Sequence, residues 1–265
     1  MKIVIIGGNR FVGKLLARLF LLVKFTDVIL INRTGTGPSN CTLIKCDRNT
    51  EEFKQHLRNI APDVVIDMCL YNLDQYQSIQ PLLEQKNLKK YIFISSIASK
   101  IESFGKYGIQ KQLLEDKIKR STLPYIILQP TYIIGKEDHS NRLSKYIDNL
   151  ITSNELLIEG NGNKLINFVD ADDICNIIFK LIYSNLVRKE YEIGCNEMTS
   201  LNDLIYRLSS ITNKSPNIRY HANNSPYANT ECFAINFKIK QDINYSFINF
   251  DDTLKQICNS YEDRS

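Results

Sequence analysis

The sequence predicts an α/β fold in which helices cover both faces of a doubly wound parallel sheet, with a small C-terminal lobe added to it. Short apolar runs rich in β-branched residues alternate with helical segments up to about residue 135. The first of these runs leads directly into a glycine-rich turn. With 265 residues and 43% hydrophobic content, the chain can also bury a large core.

The opening unit is a strand, a turn and a helix. Residues 2–6 are apolar, a glycine turn follows, and helical periodicity covers about 11–24. Gly7 permits the close approach of a pyrophosphate, which a helix N-terminus favours, and Gly13 allows close helix–strand packing. Taken alone, the turn also fits an ordinary loop, because Arg10 replaces the middle glycine of the usual spacing. The unit predicts dinucleotide binding by Gly7, Gly8, Asn9, Arg10, Phe11, Val12 and Gly13.

The end of the second strand indicates which dinucleotide is preferred. Residues 27–31 are apolar, and in such folds the next position meets the adenosine ribose. An acidic residue there would suit NAD, whereas this chain has Asn32 and Arg33. A guanidinium binds phosphate through charge-assisted hydrogen bonds, and Arg10 lies within reach of the same group. We therefore expect NADP to be preferred over NAD, although an arginine at a strand end also fits an ordinary solvated residue.

The same alternation continues along the chain. Because parallel strands bind ligands at their carboxyl ends, the residues just after each strand are the candidates for function. The predicted elements are strands at 42–45, 63–67, 91–95 and 125–128 and helices at 51–59, 73–85 and 106–120.

Candidate chemistry follows the strand at 91–95. Ser96 comes directly after it, and Tyr107 and Lys111 lie four residues apart on one face of the next helix. A phenol titrates near pH 10, and a nearby ammonium stabilises the phenolate and lowers that pKa. The three residues therefore predict acid/base chemistry at a carbonyl or alcohol, with the serine orienting the substrate oxygen.

The Tyr-x-x-x-Lys spacing is a weak signal by itself. Tyr132 and Lys136 also match it, but Gly135 lies between them just past a strand, where no helix would align the two side chains. The Tyr107 match gains weight from the strand that ends at a serine before it. A surface helix with an ordinary tyrosine and lysine stays open as the alternative.

Composition excludes several classes of protein. A net charge of +4 without a long basic run does not indicate nucleic-acid binding. No apolar stretch is long enough to span a membrane, and Met1 leads directly into the first strand without a signal peptide. Seven cysteines without a CxxC pair indicate reduced thiols in the cytoplasm. The three histidines, at 56, 139 and 221, have no metal-ligand spacing, so neither a metal nor a Ser-His-Asp triad is expected.

These motifs resemble the extended short-chain dehydrogenase/reductase superfamily, in its branch of NAD(P)-dependent epimerases and dehydratases with a GGxRFxG cofactor loop. The resemblance implies a Rossmann-type sheet. It gives Ser96, Tyr107 and Lys111 the catalytic roles, and it also places Tyr107 and Lys111 at the cofactor. Residues 129–135 are similar to the family's RPxxxYG segment near the nicotinamide, with Gln129 in place of arginine. The other cofactor-binding residues that it implies are Asn32, Arg33, Asp47, Arg48, Met68, Cys69 and Pro130.

The second half resembles the same branch. Residues 159–162 and 168–173 are similar to its GxG and FxxVxD segments, and 191–201 to its YNIG and TxxEL stretch. The resemblance implies a Rossmann domain over 1–135, to which 166–186 return. It implies a substrate-binding lobe mainly within 136–265.

Two departures from the family bear on the substrate. Ile97 and Ala98 stand where dehydratases place an Asp-Glu pair, so 4,6-dehydration is disfavoured. Residues 165–167 lack the arginine with which nucleotide-sugar epimerases bind the diphosphate, for which Lys164 or Arg219 are the available substitutes. A second family arginine is absent from 225–230. A nucleotide-linked sugar is therefore left open rather than predicted.

The resemblance implies a cytoplasmic oxidoreductase or epimerase that transfers a hydride at a carbonyl or hydroxyl carbon of a sugar-like small molecule. It also implies a homodimer formed through the helices at 73–85 and 106–120, with no nucleic-acid or membrane partner. The alternative is a non-catalytic relative, either a dinucleotide sensor or an RNA-binding protein like the chloroplast stem-loop-binding proteins.

Overall fold

A computed structural model describes residues 1–85, 87–140, 142–153, 155–222 and 230–262. Seven strands form one parallel sheet, in the spatial order third, second, first, fourth, fifth, sixth and last. The chain begins at the centre, builds to one edge, crosses over and builds to the other edge. The predicted doubly wound fold is therefore confirmed. These strands are β1 (Lys2–Ile6), β2 (Asp27–Asn32), β3 (Thr42–Lys45), β4 (Val64–Asp67), β5 (Lys90–Ile94), β6 (Tyr125–Pro130) and β10 (Lys189–Ile193).

Helices cover both faces of the sheet. Side chains alternate along β1, so that Ile3 and Ile5 join one core while Val4 and Ile6 join the other. The first face packs against the helices at 11–21 and 171–182, and the second against those at 51–60, 73–84 and 105–119. The described helices are α1 (Phe11–Leu21), α2 (Glu51–Ile60), α3 (Leu73–Glu84), α4 (Gly105–Lys119), α5 (Ser144–Thr152), α6 (Ala171–Ile182), α7 (Leu201–Thr212), α8 (Phe237–Ile243) and α9 (Phe250–Glu262).

Two elements differ from the sequence prediction. Helix α1 ends at Leu21 rather than near Lys24, because the chain must turn there to align β2 with β1. Phe25 makes that turn with a φ of 61°, and the Asp27 amide donates to the Met1 carbonyl at 2.9 Å. Strand β10 was not predicted, since its sequence Lys-Glu-Tyr-Glu-Ile is largely charged, as suits the edge of a sheet.

A third core lies mainly in the C-terminal part of the chain. It contains apolar residues of α5, α7 and α9 and of the short strands at 132–134, 155–159 and 168–170. Asp170 accepts a hydrogen bond from the Thr253 hydroxyl at 2.7 Å, and Asp173 accepts one from Tyr245 at 2.7 Å. These bonds attach the end of the chain to α6. The short strands form two parallel pairs, β7 (Tyr132–Ile134) with β9 (Phe168–Asp170) and β8 (Glu155–Glu159) with β11 (Asn217–His221).

Within the described ranges, no helix combines the length and the apolar character that crossing a membrane requires.

Candidate active site

The glycine turn after β1 is shaped by close backbone contacts. Gly7 has a φ of 88°, and a Cβ on it would lie 3.0 Å from the Cys69 sulfur. A Cβ on Gly13 would lie 2.6 Å from the Gly8 Cα. Gly8 itself faces the core, where a Cβ would meet Ile5 at 2.8 Å. Gly7 therefore needs glycine for its positive φ and its contact with Cys69, whereas packing alone accounts for Gly8 and Gly13.

A cavity of about 450 Å³ opens over this turn and extends to the ends of β2, β3 and β4. Among the described residues, Gly8, Tyr107, Lys111 and Pro130 are the expected cofactor residues that do not line it. Pro130 instead ends β6, opposite Ile193 of β10. The expected residues that do line the cavity are Gly7, Asn9, Arg10, Phe11, Val12, Gly13, Asn32, Arg33, Asp47, Arg48, Met68 and Cys69.

The N-terminus of α1 at this cavity suits an anion. Its first turn contains no acidic residue, and the Arg10 side chain makes no capping hydrogen bond. The first amides of a helix lack partners within the helix and carry partial positive charge. A pyrophosphate placed here would accept those hydrogen bonds.

Asn32 has a structural role that the sequence did not reveal. Its side-chain oxygen accepts from the Thr34 and Gly35 amides at 3.1 and 2.8 Å, and its amide donates to the Thr36 carbonyl at 2.9 Å. Because these bonds hold the turn after β2, Asn32 is committed to the backbone. Arg33 is exposed at the cavity wall and is the cation available at this position.

A buried ion pair forms the floor of the cavity beneath the ends of β3 and β4. Arg48 donates to both carboxylate oxygens of Asp67, at 2.8 and 3.0 Å, and both side chains are buried. Burial opposes the charged guanidinium, but Asp67 more than offsets this effect and the pKa of Arg48 is raised. The Arg48 Nε is buried and has no hydrogen-bond partner among the described residues.

Asp47 is one of the cofactor-binding residues that the family resemblance implies. Its carboxylate accepts hydrogen bonds from the backbone and side-chain amides of Asn49, both at 2.9 Å. Asp47 therefore shapes the turn into α2 as well as lining the cavity.

The structure brings Tyr107 and Lys111 together. Lys111 is 3% exposed, and its ammonium lies 6.0 Å from the centre of the Tyr107 ring. It donates to the Leu70 and Ile94 carbonyls at 3.0 and 3.1 Å. Burial is the main cause that lowers the pKa of Lys111 to about 8. Tyr107 is 48% exposed, so its phenol is accessible to a substrate.

Ser96 lies on the turn against which α4 packs. Its hydroxyl accepts from the Ala98 amide at 3.2 Å and caps the short 3-10 helix Ile97–Lys100. A Cβ on Gly108 would lie 2.4 Å from the Ala98 carbonyl oxygen, so only glycine allows this approach. Gly108 follows Tyr107 directly on α4. Its lack of a side chain therefore allows α4, with Tyr107, to pack against the turn that carries Ser96. Sequence reasoning missed this glycine.

A buried polar network lies one turn along α4 from Lys111. Glu115 accepts hydrogen bonds from the Ser95 hydroxyl and from the Gln129 amide, the latter at 2.8 Å. Burial raises the pKa of Glu115, which the hydrogen bonds counteract only in part. The Gln129 carbonyl oxygen is buried without a hydrogen-bond partner in the described part of the chain. Gln129, which stands where the family has arginine, thus gives the Glu115 carboxyl a neutral donor in place of a charged one.

The two substitutes for the missing diphosphate arginine differ in their surroundings. Arg219 lies on β11 and forms an ion pair with Glu155 at 2.7 Å. Lys164 is exposed, whereas Asn167 is buried and bonds to the Cys195 and Ala234 carbonyls, each at 3.2 Å. Of the range 225–230, from which the other family arginine is absent, residues 225–229 lie outside the described residues.

Several cavity residues escaped sequence reasoning. Tyr71 lines the cavity, and the Lys111 ammonium lies 5.6 Å from the centre of its ring, so it connects the cavity to the catalytic candidates. Its place shortly after β4 is the signal that could have found it. His139 lines the opposite part, edge-on to the Phe11 ring at 6.4 Å, and no motif marks it.

Comparisons with known proteins agree with this geometry. Residues 82–194 match the family model described as NAD dependent epimerase/dehydratase family. A UDP-glucose 4-epimerase from Thermotoga maritima, solved with UDP-glucose, superposes with a TM-score of 0.88 at 16% identity, covering 100% of this chain and 99% of that one. A UDP-glucuronic acid 4-epimerase from Bacillus cereus, in complex with NAD, gives 0.82 at 20% identity, with 100% and 99% covered.

A third structure belongs to another reaction class. It is a dTDP-glucose 4,6-dehydratase from Bacillus anthracis in complex with NAD, with a TM-score of 0.86 at 16% identity, covering 99% of this chain and 97% of that one. At these identities the superpositions establish the fold. Together with the family match they confirm the resemblance predicted from the sequence: the chain has the fold of the extended short-chain dehydrogenases/reductases, and its residues 82–194 carry the sequence pattern of the NAD dependent epimerase/dehydratase family.

Proposed function

We propose that this protein is an NAD(P)-dependent oxidoreductase or epimerase that acts at a carbonyl or hydroxyl carbon of a sugar-like substrate. The observation that carries the proposal is the position of Tyr107 and Lys111 beside a cavity that fits a dinucleotide. Tyr71 connects the two, because it lines the cavity and contacts the lysine. The glycine turn and the uncapped α1 N-terminus are the features that suit the dinucleotide.

Each of the three candidate residues has a distinct role in this proposal. A nicotinamide dinucleotide, when bound, supplies or accepts the hydride. Tyr107 gives a proton to the substrate oxygen or takes one from it, and the Lys111 ammonium stabilises the phenolate that results. With a pKa of about 8, Lys111 remains mostly charged at pH 7. Ser96 orients the substrate oxygen.

Replacing the phenol tests the acid/base role. Tyr107→Phe keeps the ring over Lys111 and removes the hydroxyl, so we expect dinucleotide binding to persist while turnover falls at least about 100-fold. Tyr206→Phe is the matched control, because Tyr206 is an exposed tyrosine on α7. Turnover is followed by nicotinamide absorbance. Equal turnover in both variants would exclude Tyr107 as the acid/base.

We further propose that NADP is preferred. Two exposed arginines, Arg10 and Arg33, line the cavity where the ribose 2′-position is expected, and a guanidinium binds a phosphate there. Titration with NADPH and NADH, followed by cofactor fluorescence, should show at least tenfold tighter binding of NADPH. Arg33→Ala should remove most of that difference. Equal affinities in the unmodified protein would point to NAD, the dinucleotide bound in the structural neighbours.

A nucleotide sugar is the first substrate class to screen. The neighbouring structures contain UDP-glucose and UDP-glucuronic acid, and residues mainly within 136–265 would form the lobe that receives the sugar. The ion pair of Arg219 with Glu155 leaves Lys164 as the more available cation for a diphosphate. If nucleotide sugars are inert while simple sugars or polyols are turned over, the nucleotide group is dispensable.

The alternative of a non-catalytic dinucleotide sensor predicts binding without turnover of any carbonyl or polyol substrate.

A homodimer through α3 and α4 is part of our proposal, because Ile109 and Leu113 are exposed on α4. Sedimentation equilibrium measures that state directly.

A further inference from the structure

A cysteine, a glutamate and a histidine lie together where the chain enters α2. Cys46 follows β3, and Glu52 and His56 lie four residues apart on one face of the helix. The Cys46 sulfur, one Glu52 carboxylate oxygen and one His56 ring nitrogen all lie within 4.8 Å of one another. We propose that these three side chains form a divalent metal site of the zinc type. The spacing in the sequence concealed it, because its ligands come from a strand end and a helix.

The backbone holds the cysteine in place. The Cys46 amide donates to the Asn32 carbonyl at 3.0 Å, which continues the pairing of β3 with β2. The Thr50 hydroxyl then donates to the Asp47 carbonyl at 2.7 Å and fixes the turn into α2. As a result the Cys46 sulfur lies 3.5 Å from the Thr50 oxygen, against the first turn of the helix that carries the other two ligands.

Exposure changes across the three ligands. Cys46 is buried, the His56 side chain is 33% exposed and the Glu52 side chain is 65% exposed. A metal can therefore enter from the solvent side, and water can complete a fourth position there. Sulfur, nitrogen and oxygen ligands together suit zinc, whereas magnesium and calcium prefer oxygen alone.

The site must close slightly around an ion. Bonds of about 2.0–2.3 Å in a tetrahedral arrangement put ligand atoms roughly 3.3–3.8 Å apart. The His56 Nε2 and Glu52 Oε1 already lie 3.5 Å apart. The other two separations are each at most 4.8 Å, so the Cys46 sulfur and the two helix ligands must approach one another by roughly 1.5 Å at most. On binding, the Cys46 thiol loses its proton to solvent and a metal–sulfur bond forms.

This site adjoins the cavity, because Cys46 and Asp47 line its wall. If the proposed dinucleotide binding is correct, metal and dinucleotide would influence each other's affinity. Metal binding itself is measured without a dinucleotide. A protein that binds metal but not NADPH or NADH would refute only the proposed function, and the reverse result would refute only the metal site.

Cobalt(II) is the probe, since a cobalt–thiolate bond gives a charge-transfer band in the near ultraviolet. We expect the band to saturate at one equivalent of cobalt in the reduced protein and to vanish when zinc is added. Cys46→Ser should abolish it, and His56→Ala should weaken cobalt binding at least tenfold. Cys41→Ser and His139→Ala are the matched controls and should keep the band.

Absence of a saturable band would overturn the proposal, as would a band that survives Cys46→Ser. Loss of the band in Cys41→Ser to the same degree would also overturn it. Far-ultraviolet circular dichroism checks that each variant folds. If Cys46→Ser does not fold, the partly exposed His56 decides, because unchanged cobalt affinity in His56→Ala refutes the site.

Discussion

Two buried carboxyl groups act on the Lys111 ammonium, and the chain balances them in different ways. Asp67 on β4 accepts two hydrogen bonds from a guanidinium, that of Arg48. Glu115 on α4 accepts from the neutral groups of Ser95 and Gln129. Both carboxyls raise the pKa of Lys111, against the larger lowering caused by burial. Asp67 therefore depends on a directly hydrogen-bonded guanidinium, whereas the hydrogen bonds shown for Glu115 come from neutral donors.

The largest expected effect comes from removing that partner. Arg48→Met leaves the Asp67 carboxylate buried without its hydrogen-bonded countercharge, so we expect the free energy of unfolding to fall by about 3–5 kcal/mol. Urea denaturation measures the loss. Arg58→Met is the control, because Arg58 contacts the exposed Glu51 carboxylate on the surface of α2 and its loss should change stability little.

A double variant separates stranded charge from lost packing. Asp67→Asn added to Arg48→Met removes the charge, and it should recover at least half of the lost stability. No recovery would mean that Arg48 contributes chiefly through its packing.

The next effect concerns the pH dependence of turnover. Because burial lowers the pKa of Lys111 to about 8, the ammonium is lost above that pH and turnover should fall there. Glu115→Gln removes one of the groups that raise this pKa, so the fall should move to lower pH. The measurement is kcat between pH 6 and 10 for both proteins. A fall at the same pH in both would show that Glu115 does not act on Lys111.

The smallest effect is on stability at Glu115 itself. Its pKa in the folded protein is raised above its ordinary value of 4.5, chiefly by burial. A carboxyl of this kind contributes stability below pH 4.5, and that contribution is lost as the pH rises through the folded-state pKa. Glu115→Gln should therefore cost about 1 kcal/mol at low pH and progressively less on going to pH 8. A cost that grows with pH would contradict this assignment.

The sheet was largely predictable, because buried parallel strands are continuous apolar runs. Strand β3 agreed with its predicted bounds, and the strands and helices from 51 to 130 agreed within a few residues. Strand β10 could not be found in the same way, since an edge strand buries little and shows no apolar run. The end of α1 depended on where β2 pairs, which is a tertiary constraint.

The site was predictable where a local pattern fixes geometry. Tyr107 and Lys111 converge because they are one helical turn apart. The partners of Arg48 and Glu115 could not be predicted, because each lies on another strand or helix. The requirement for glycine at position 108 could not be predicted either, because it follows from the contact with the Ala98 carbonyl.

The turn held by Asn32 has a consequence for the evolution of this protein. In related folds the residue at this position distinguishes the two dinucleotides. Here Asn32 instead stabilises the turn, because its side chain bonds to backbone groups of three consecutive residues. A substitution of Asn32 would first have to keep the turn after β2 folded. Its neighbour Arg33 is exposed and can vary without that penalty. A change of dinucleotide preference would therefore begin with Arg33, one residue after the position that the general rule for this fold points to.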